Sequence, residues 1–304
     1  MSANPEAQCD VLVVGGGPAG LSAALVLGRC RWRVILIDAG TRRNAASPAL
    51  HGYLSRDGID PGELRSLGRA EVERYGVELR EGTVMAASKE PYGFTVRLRD
   101  ETRLTGRKVL LATGVADLLP DIAGFRDYYG TSIHHCPYCD GWEHNDGRIA
   151  VYGSGKSGAA LALKMKRWSA DIVLCTDGPP HIPGKDRARL ARHEVRVMEK
   201  TIARLEGVPP QLEQIVFEDG SRLDRTAMFF STANVQRSEL IAQLGCEMTP
   251  AGAVRTKKRQ RSSVAGVYVC GDAAEDSQYA VIAAAHGARA AMEINEELIA
   301  EDLR

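Results

Sequence analysis

The chain has 304 residues, of which 44% are hydrophobic and 31 are glycine, enough for two ordinary α/β domains with many tight turns. Lys plus Arg equals Asp plus Glu at 39 each, so no overall basic field invites nucleic acid. No apolar run approaches the ~18 residues that a membrane span needs.

The opening residues MSANPEAQCD carry no apolar signal core, so a cytoplasmic location is expected. The segment DVLVVGGGPAGLSAALVLGRCRWRVILID (10–38) predicts strand, glycine turn, helix and strand. Gly15, Gly17 and Gly20 satisfy G-x-G-x-x-G, with Pro18 and Ala19 opening the helix. Glycines there let the backbone approach a pyrophosphate, and the helix N-terminus turns unpaired N–H groups toward it. Asp38 ends the second strand, where a carboxylate accepts hydrogen bonds from ribose hydroxyls.

Residues 76–114 predict several short strands with turns; within them GFTVRLRD alternates like an antiparallel strand. They finish on the apolar strand VLLATG (109–114), which contains Ala112, Thr113 and Gly114.

Next comes HHCPYCDGWEH (134–144), with Cys136 and Cys139 two residues apart. Zinc needs about four ligands. His134, His135 and the two cysteines are too close in sequence to surround one ion easily, and no second Cys-x-x-Cys completes a set, so no metal is expected. A redox dithiol fits the spacing best. Thiolate is the attacking species, so a base must take a proton in one direction and return it in the other. Asp140, His135 and His134 are the near candidates. The other cysteines, Cys9, Cys30, Cys175, Cys246 and Cys270, are scattered and read as free buried thiols.

RIAVYGSGKSGAALALKMKRWSADIVLCTD (148–177) repeats the first pattern. Its Gly-Lys-Ser resembles a phosphate-binding P-loop, but that loop needs a glycine where Ala150 stands. A Rossmann turn through Gly153, Gly155 and Gly158 fits instead and offers a site for a nicotinamide nucleotide. Residues 214–233 predict a hairpin followed by a buried strand. Residues 264–303 predict a strand ending in Gly271-Asp272, an acidic turn and a long helix containing His286. The cluster Lys257, Lys258, Arg259, Arg261 reads as a solvated loop.

Glycine turn, Ala-Thr-Gly strand, Cys-x-x-Cys, second glycine turn, Gly-Asp and terminal helix, in that order, resemble the low-molecular-weight thioredoxin reductase family over nearly the whole chain. The resemblance implies two doubly wound Rossmann-like α/β domains, the two-dinucleotide-binding flavoprotein fold. The FAD domain would be discontinuous (1–117 and 247–304), with a nicotinamide-domain-like insert at 118–246 carrying the dithiol. It implies FAD held by Gly15, Gly17, Pro18, Ala19, Gly20, Asp38, Ala39, Arg43, Asn44, His51, Ala112, Thr113, Gly114, Gly271, Asp272, Gln278, Tyr279 and Ala280. It implies that Cys139 exchanges electrons with the flavin, Cys136 meets the substrate and Asp140 is the acid–base group. A homodimer is also implied.

Three departures stand out. The basic cluster that NADPH-using members place after the second nucleotide strand is missing from CTDGPPHIPGKDRAR, where Asp177 would repel a 2′-phosphate. Cys-Pro-Tyr-Cys-Asp-Gly-Trp-Glu, with residues 38–58, looks more like the dithiol oxidases of holomycin- and gliotoxin-type metabolites. Gln278-Tyr279-Ala280 replaces the family's Arg-Gln-Ala. The expected substrate is therefore a small-molecule dithiol or disulfide, or a thioredoxin-like protein. NAD(P)H, ferredoxin or another protein donor, and oxygen all stay open as electron partners. A flavin-binding redox sensor without turnover is the rival from another class.

Overall fold

A computed structural model describes residues 8–231, 233–274 and 277–304. In chain order it runs β1 (Cys9–Val14), α1 (Pro18–Arg29), β2 (Val34–Asp38), α2 (Pro61–Glu73), β3 (Glu78–Glu81), β4 (Val84–Glu90), β5 (Gly93–Leu98) and β6 (Arg103–Leu111). There follow β7 (Val115–Asp117), α3 (Phe125–Tyr128), β8 (Ile133–His134), α4 (Pro137–Asp140), β9 (Ile149–Tyr152), α5 (Gly155–Met165), β10 (Ile172–Cys175), α6 (Gly184–Arg192) and β11 (Arg196–Met198). The remainder is β12 (Ile202–Val208), β13 (Gln211–Phe217), β14 (Arg222–Asp224), β15 (Ala227–Phe230), β16 (Asn234–Gln236), α7 (Leu240–Gln243), β17 (Val267–Val269) and α8 (Ala280–Asp302).

The chain divides into two compact units. One takes the chain up to Arg43, Pro61–Ala116 and Val235–Arg304; the other takes Asn44–Asp60 and Asp117–Asn234.

In the first unit β3, β2, β1, β6 and β17 form a parallel array, with Val13 opposite Leu36 and Leu110, and Leu110 opposite Tyr268. The N-terminal half of β6 pairs antiparallel with β5, and β5 with β4. A continuous apolar run suits a parallel strand because both faces are covered. Val11 and Val13 accordingly pack with α1 and α8, whereas Leu12 and Val14 pack with β4, β5 and α7. The helices approach closely because α8 carries Gly287, where a Cβ would lie 1.9 Å from the Ala19 carbonyl oxygen.

The second unit repeats the plan. Five parallel strands run β11-β10-β9-β15-β8, and β12-β13-β14 form an antiparallel meander. Ile149 and Val151 face the α5 and α6 side, and Ala150 faces the meander.

Both units are thus Rossmann-like α/β, as expected. Three expectations are corrected. Residues 235–246, expected in the insert, belong to the first unit, where Leu240, Ile241, Leu244 and Cys246 are buried in the core with Leu12 and Val14. Cys30, at the C-terminal cap of α1, is exposed; the other four unpaired cysteines are buried. Arg259 and Arg261 are not merely solvated. They bind the Glu293 carboxylate, Arg259 at 2.7 Å, because that side chain is buried on α8 and needs a countercharge. Glu275 and Asp276 of the expected acidic turn lie outside the described residues, as does Thr232. Among the described residues no helix is long and apolar enough to cross a membrane.

Candidate active site

The first glycine turn is built in two layers. A Cβ on Gly15 would lie 2.3 Å from the Ala112 carbonyl oxygen, and one on Gly20 would lie 1.8 Å from the Gly15 carbonyl oxygen. These two glycines lock the turn onto the end of β6. Gly17 differs: its Cβ position has no neighbour within 4 Å. Such an open cradle at the N-cap of α1 leaves room for a pyrophosphate. Nearby in the fold, the buried Thr113 hydroxyl has no hydrogen-bond partner, and Gly114, at φ +66°, is open. An orphaned hydroxyl and an unfilled glycine cradle on the expected strand ends fit FAD.

Other expected residues meet within this unit. Arg43 Nη1 lies 3.0 Å from Asp272 Oδ2. Gly271 packs on Ala19. Tyr279 caps α8, of which Ala280 is the first residue, and Gln278 precedes the cap. Gly40 donates its N–H to Asp38 Oδ1 at 3.1 Å, with Ala39 between them, while the Arg65 guanidinium engages Asp38 Oδ2. Arg65 was missed in the sequence. Asn44 and His51, expected at the flavin, belong to the second unit. There His51 Nε2 lies 3.4 Å from Glu143 Oε1 and Nδ1 lies 3.7 Å from Asp57 Oδ1.

In the second unit Cys136 and Cys139 form a disulfide, their Cα atoms 5.3 Å apart. Cys136 caps the single turn α4, and Pro137 at its first position presets the helical φ. Gly141 closes the turn by donating its N–H to the Pro137 carbonyl at 2.9 Å. It must be glycine, since a Cβ would lie 2.8 Å from the Trp168 ring. Trp168 also meets Tyr138 edge-on at 6.1 Å, so one indole supports the dithiol turn from both ends. Tyr138 and Trp142 themselves are exposed.

The acid–base groups form a line. Asp140 Oδ1 lies 3.2 Å from His134 Nδ1, and His134 Nε2 lies 2.9 Å from His144 Nε2 and 3.0 Å from the Thr131 carbonyl oxygen. Two ring nitrogens at that distance need one proton between them. Burial, followed by the adjacent His134 ring, pushes the His144 pKa down from 6.5 to about 4, with Asp140 opposing. His144 is therefore neutral at neutral pH. It was missed in the sequence, although its position four residues after Asp140 was the available signal. The ring of His135 stands edge-on to Phe230 at 6.3 Å. His286 is buried on α8.

The second glycine turn keeps its internal packing: a Cβ on Gly158 would lie 2.6 Å from the Gly153 carbonyl carbon. Asp177, beyond β10, accepts hydrogen bonds from the Ile202 N–H at 2.7 Å and the Tyr152 hydroxyl at 3.3 Å.

Two Rossmann-like units, one with an open nucleotide cradle and the other with a Cys-x-x-Cys disulfide, define a two-domain flavoprotein disulfide oxidoreductase. The model of the pyridine nucleotide-disulphide oxidoreductase family matches residues 9–290, and the chain belongs to that family. Thioredoxin reductase tcpT of Claviceps purpurea is 34% identical over 278 residues, 86% of this chain and 86% of that protein. The crystal structure of HlmI superposes with a TM-score of 0.93 at 38% identity, covering 97% of this chain and 93% of that one. TrxB from Bacillus anthracis gives 0.92 at 34% identity, covering 97% and 99%. The chain is thus a thioredoxin reductase-like FAD-dependent oxidoreductase acting on sulfur groups.

Proposed function

We propose that the protein exchanges electrons between FAD and a small-molecule dithiol or disulfide through Cys136 and Cys139. The observation that carries this reading is the Asp140–His134–His144 line, which begins at the residue after Cys139. A substrate thiolate attacks Cys136 Sγ, the Cys136–Cys139 bond breaks and Cys139 leaves as thiolate. The second substrate thiol loses its proton to the His134–Asp140 pair. Its thiolate then attacks the substrate sulfur of the mixed disulfide, closing the substrate disulfide and releasing Cys136. The sequence runs backwards for disulfide reduction. Bound FAD supplies the two-electron sink or source. Gly15, Gly17, Gly20 and the Thr113 hydroxyl are the groups that hold it.

The partner that would exchange electrons with the flavin is not NADPH in this reading. Asp177 supports it, because the stretch after the second nucleotide strand begins with a carboxylate and recognition of a 2′-phosphate needs cations. Two of the three α6 arginines already have carboxylate partners: Arg187 pairs with Glu199 at 3.1 Å and Arg189 with Asp186 at 3.5 Å. Oxygen as acceptor, or ferredoxin or another reduced protein as donor, then serves the reaction.

The test is stopped-flow reduction of the bound flavin under argon, with a dithiol, NADPH and NADH at matched concentration. The dithiol is expected to bleach the flavin fastest, with NADH no worse than NADPH. Fast, saturable bleaching by micromolar NADPH would restore an ordinary nicotinamide-driven reductase.

A further inference from the structure

The two glycine turns have matching frameworks but different contents. Gly15 donates its N–H to the Ile37 carbonyl at 2.8 Å, and Gly153 donates to Cys175 at 3.1 Å, so each turn is anchored to the strand that follows its helix. The second glycines diverge. Gly17 faces open space, whereas Gly155, at φ +60°, donates its N–H to the Pro180 carbonyl at 2.8 Å, and its Cβ position lies 3.7 Å from the His181 carbonyl oxygen.

We infer that the chain's own loop, Gly178–Pro183, occupies the second nucleotide turn and is the specificity element that excludes a pyridine dinucleotide. This deepens the proposed function and rests on it. A pyrophosphate is bound by N–H groups of the turn and repelled by carbonyl oxygens. The loop consumes one such N–H and sets the Pro180 and His181 carbonyl oxygens beside Gly155.

The loop is held at three points. Thr176 donates its hydroxyl to the Gly178 carbonyl at 2.7 Å, and Gly178 donates its N–H to Glu199 at 3.1 Å. Ile182 packs into the core beneath α5. Pro179 and Pro180 restrict the segment between these anchors, because each ring fixes φ and lowers the entropy of the released loop.

The FAD-loaded protein is titrated with NAD⁺ and NADP⁺ by calorimetry, beside a Pro179→Gly/Pro180→Gly double variant and Ile182→Ser. The double variant frees the loop without removing a buried side chain. Wild-type protein is expected to show no saturable binding up to about 1 mM. A released loop returns one charge-assisted hydrogen bond to the phosphate, so binding should tighten about tenfold or more. Saturable micromolar binding by the wild type overturns the inference. So does absence of any gain in the double variant once thermal unfolding shows it folded. Failure of a dithiol to bleach the flavin would sink the proposed reaction instead, leaving these titrations as they are.

Discussion

Replacing His144 with glutamine should flatten the acid side of the stability profile. In the folded chain the His144 pKa lies at about 4, against an ordinary 6.5. Unfolding therefore takes up a proton between those values, and stability falls as pH drops through that window. At pH 5 the unfolded ring is almost fully charged and the folded ring is almost neutral. The difference integrates to roughly 2 kcal/mol relative to pH 7 and above. The ring is only half-buried, so solvent screening brings this to about 1–2 kcal/mol. His144→Gln removes that titration, and an amide can still hydrogen-bond His134 Nε2. Urea unfolding of both proteins at pH 7, 6 and 5 isolates the effect, because all other groups titrate in both. The wild type should lose about 1–2 kcal/mol more than the variant between pH 7 and 5. Parallel profiles would refute the burial and charge argument for His144.

Gly17→Val should purify with little flavin but an intact fold, since the side chain enters open space that only a ligand would fill; a yellow, stoichiometrically loaded variant contradicts the cradle. Cys136→Ser and Cys139→Ser should each retain flavin absorbance and lose dithiol turnover by several orders of magnitude; full turnover in both would remove the pair from the reaction. Trp168→Ala should destabilise the second unit by about 3 kcal/mol in urea and slow dithiol exchange, since the turn loses its support beneath Tyr138 and Gly141. Unchanged exchange kinetics in the folded variant would show that the indole does not position the disulfide.

Both βαβ units were legible because the signal is local. A buried apolar run, a glycine turn and a small-residue helix lie within about 30 residues of one another. The disulfide was legible for the same reason. What escaped depends on groups brought together from a distance. Nothing in the α2 sequence marks Arg65, or Arg69 one turn further on, as a cation facing Asp38. Glu293 lies 34 residues beyond Arg259, so the basic cluster looked solvated. His144 was visible, but its contact with His134 requires the α4 turn and the short turn after it to fold the stretch back on itself. The self-occupied second turn depends on left-handed φ values at Asp177 and His181, which those residue types tolerate but do not announce. The end of the insert was missed because residues 235–246 carry no break in composition. Only their burial assigns them to the first unit.

The fate of the five unpaired cysteines makes the protein a readable redox meter. Burial pushes the pKa values of Cys9, Cys175 and Cys270 up to about 12 and raises that of Cys246, so these thiols hold their protons at physiological pH. Cys30 is exposed. A thiolate-selective alkylating reagent therefore attaches one label per native chain when the Cys136–Cys139 bond is closed, and three when it is open. Intact mass then reports the fraction of open disulfide without reference to the flavin, and surplus substrate disulfide has no buried thiolate with which to scramble.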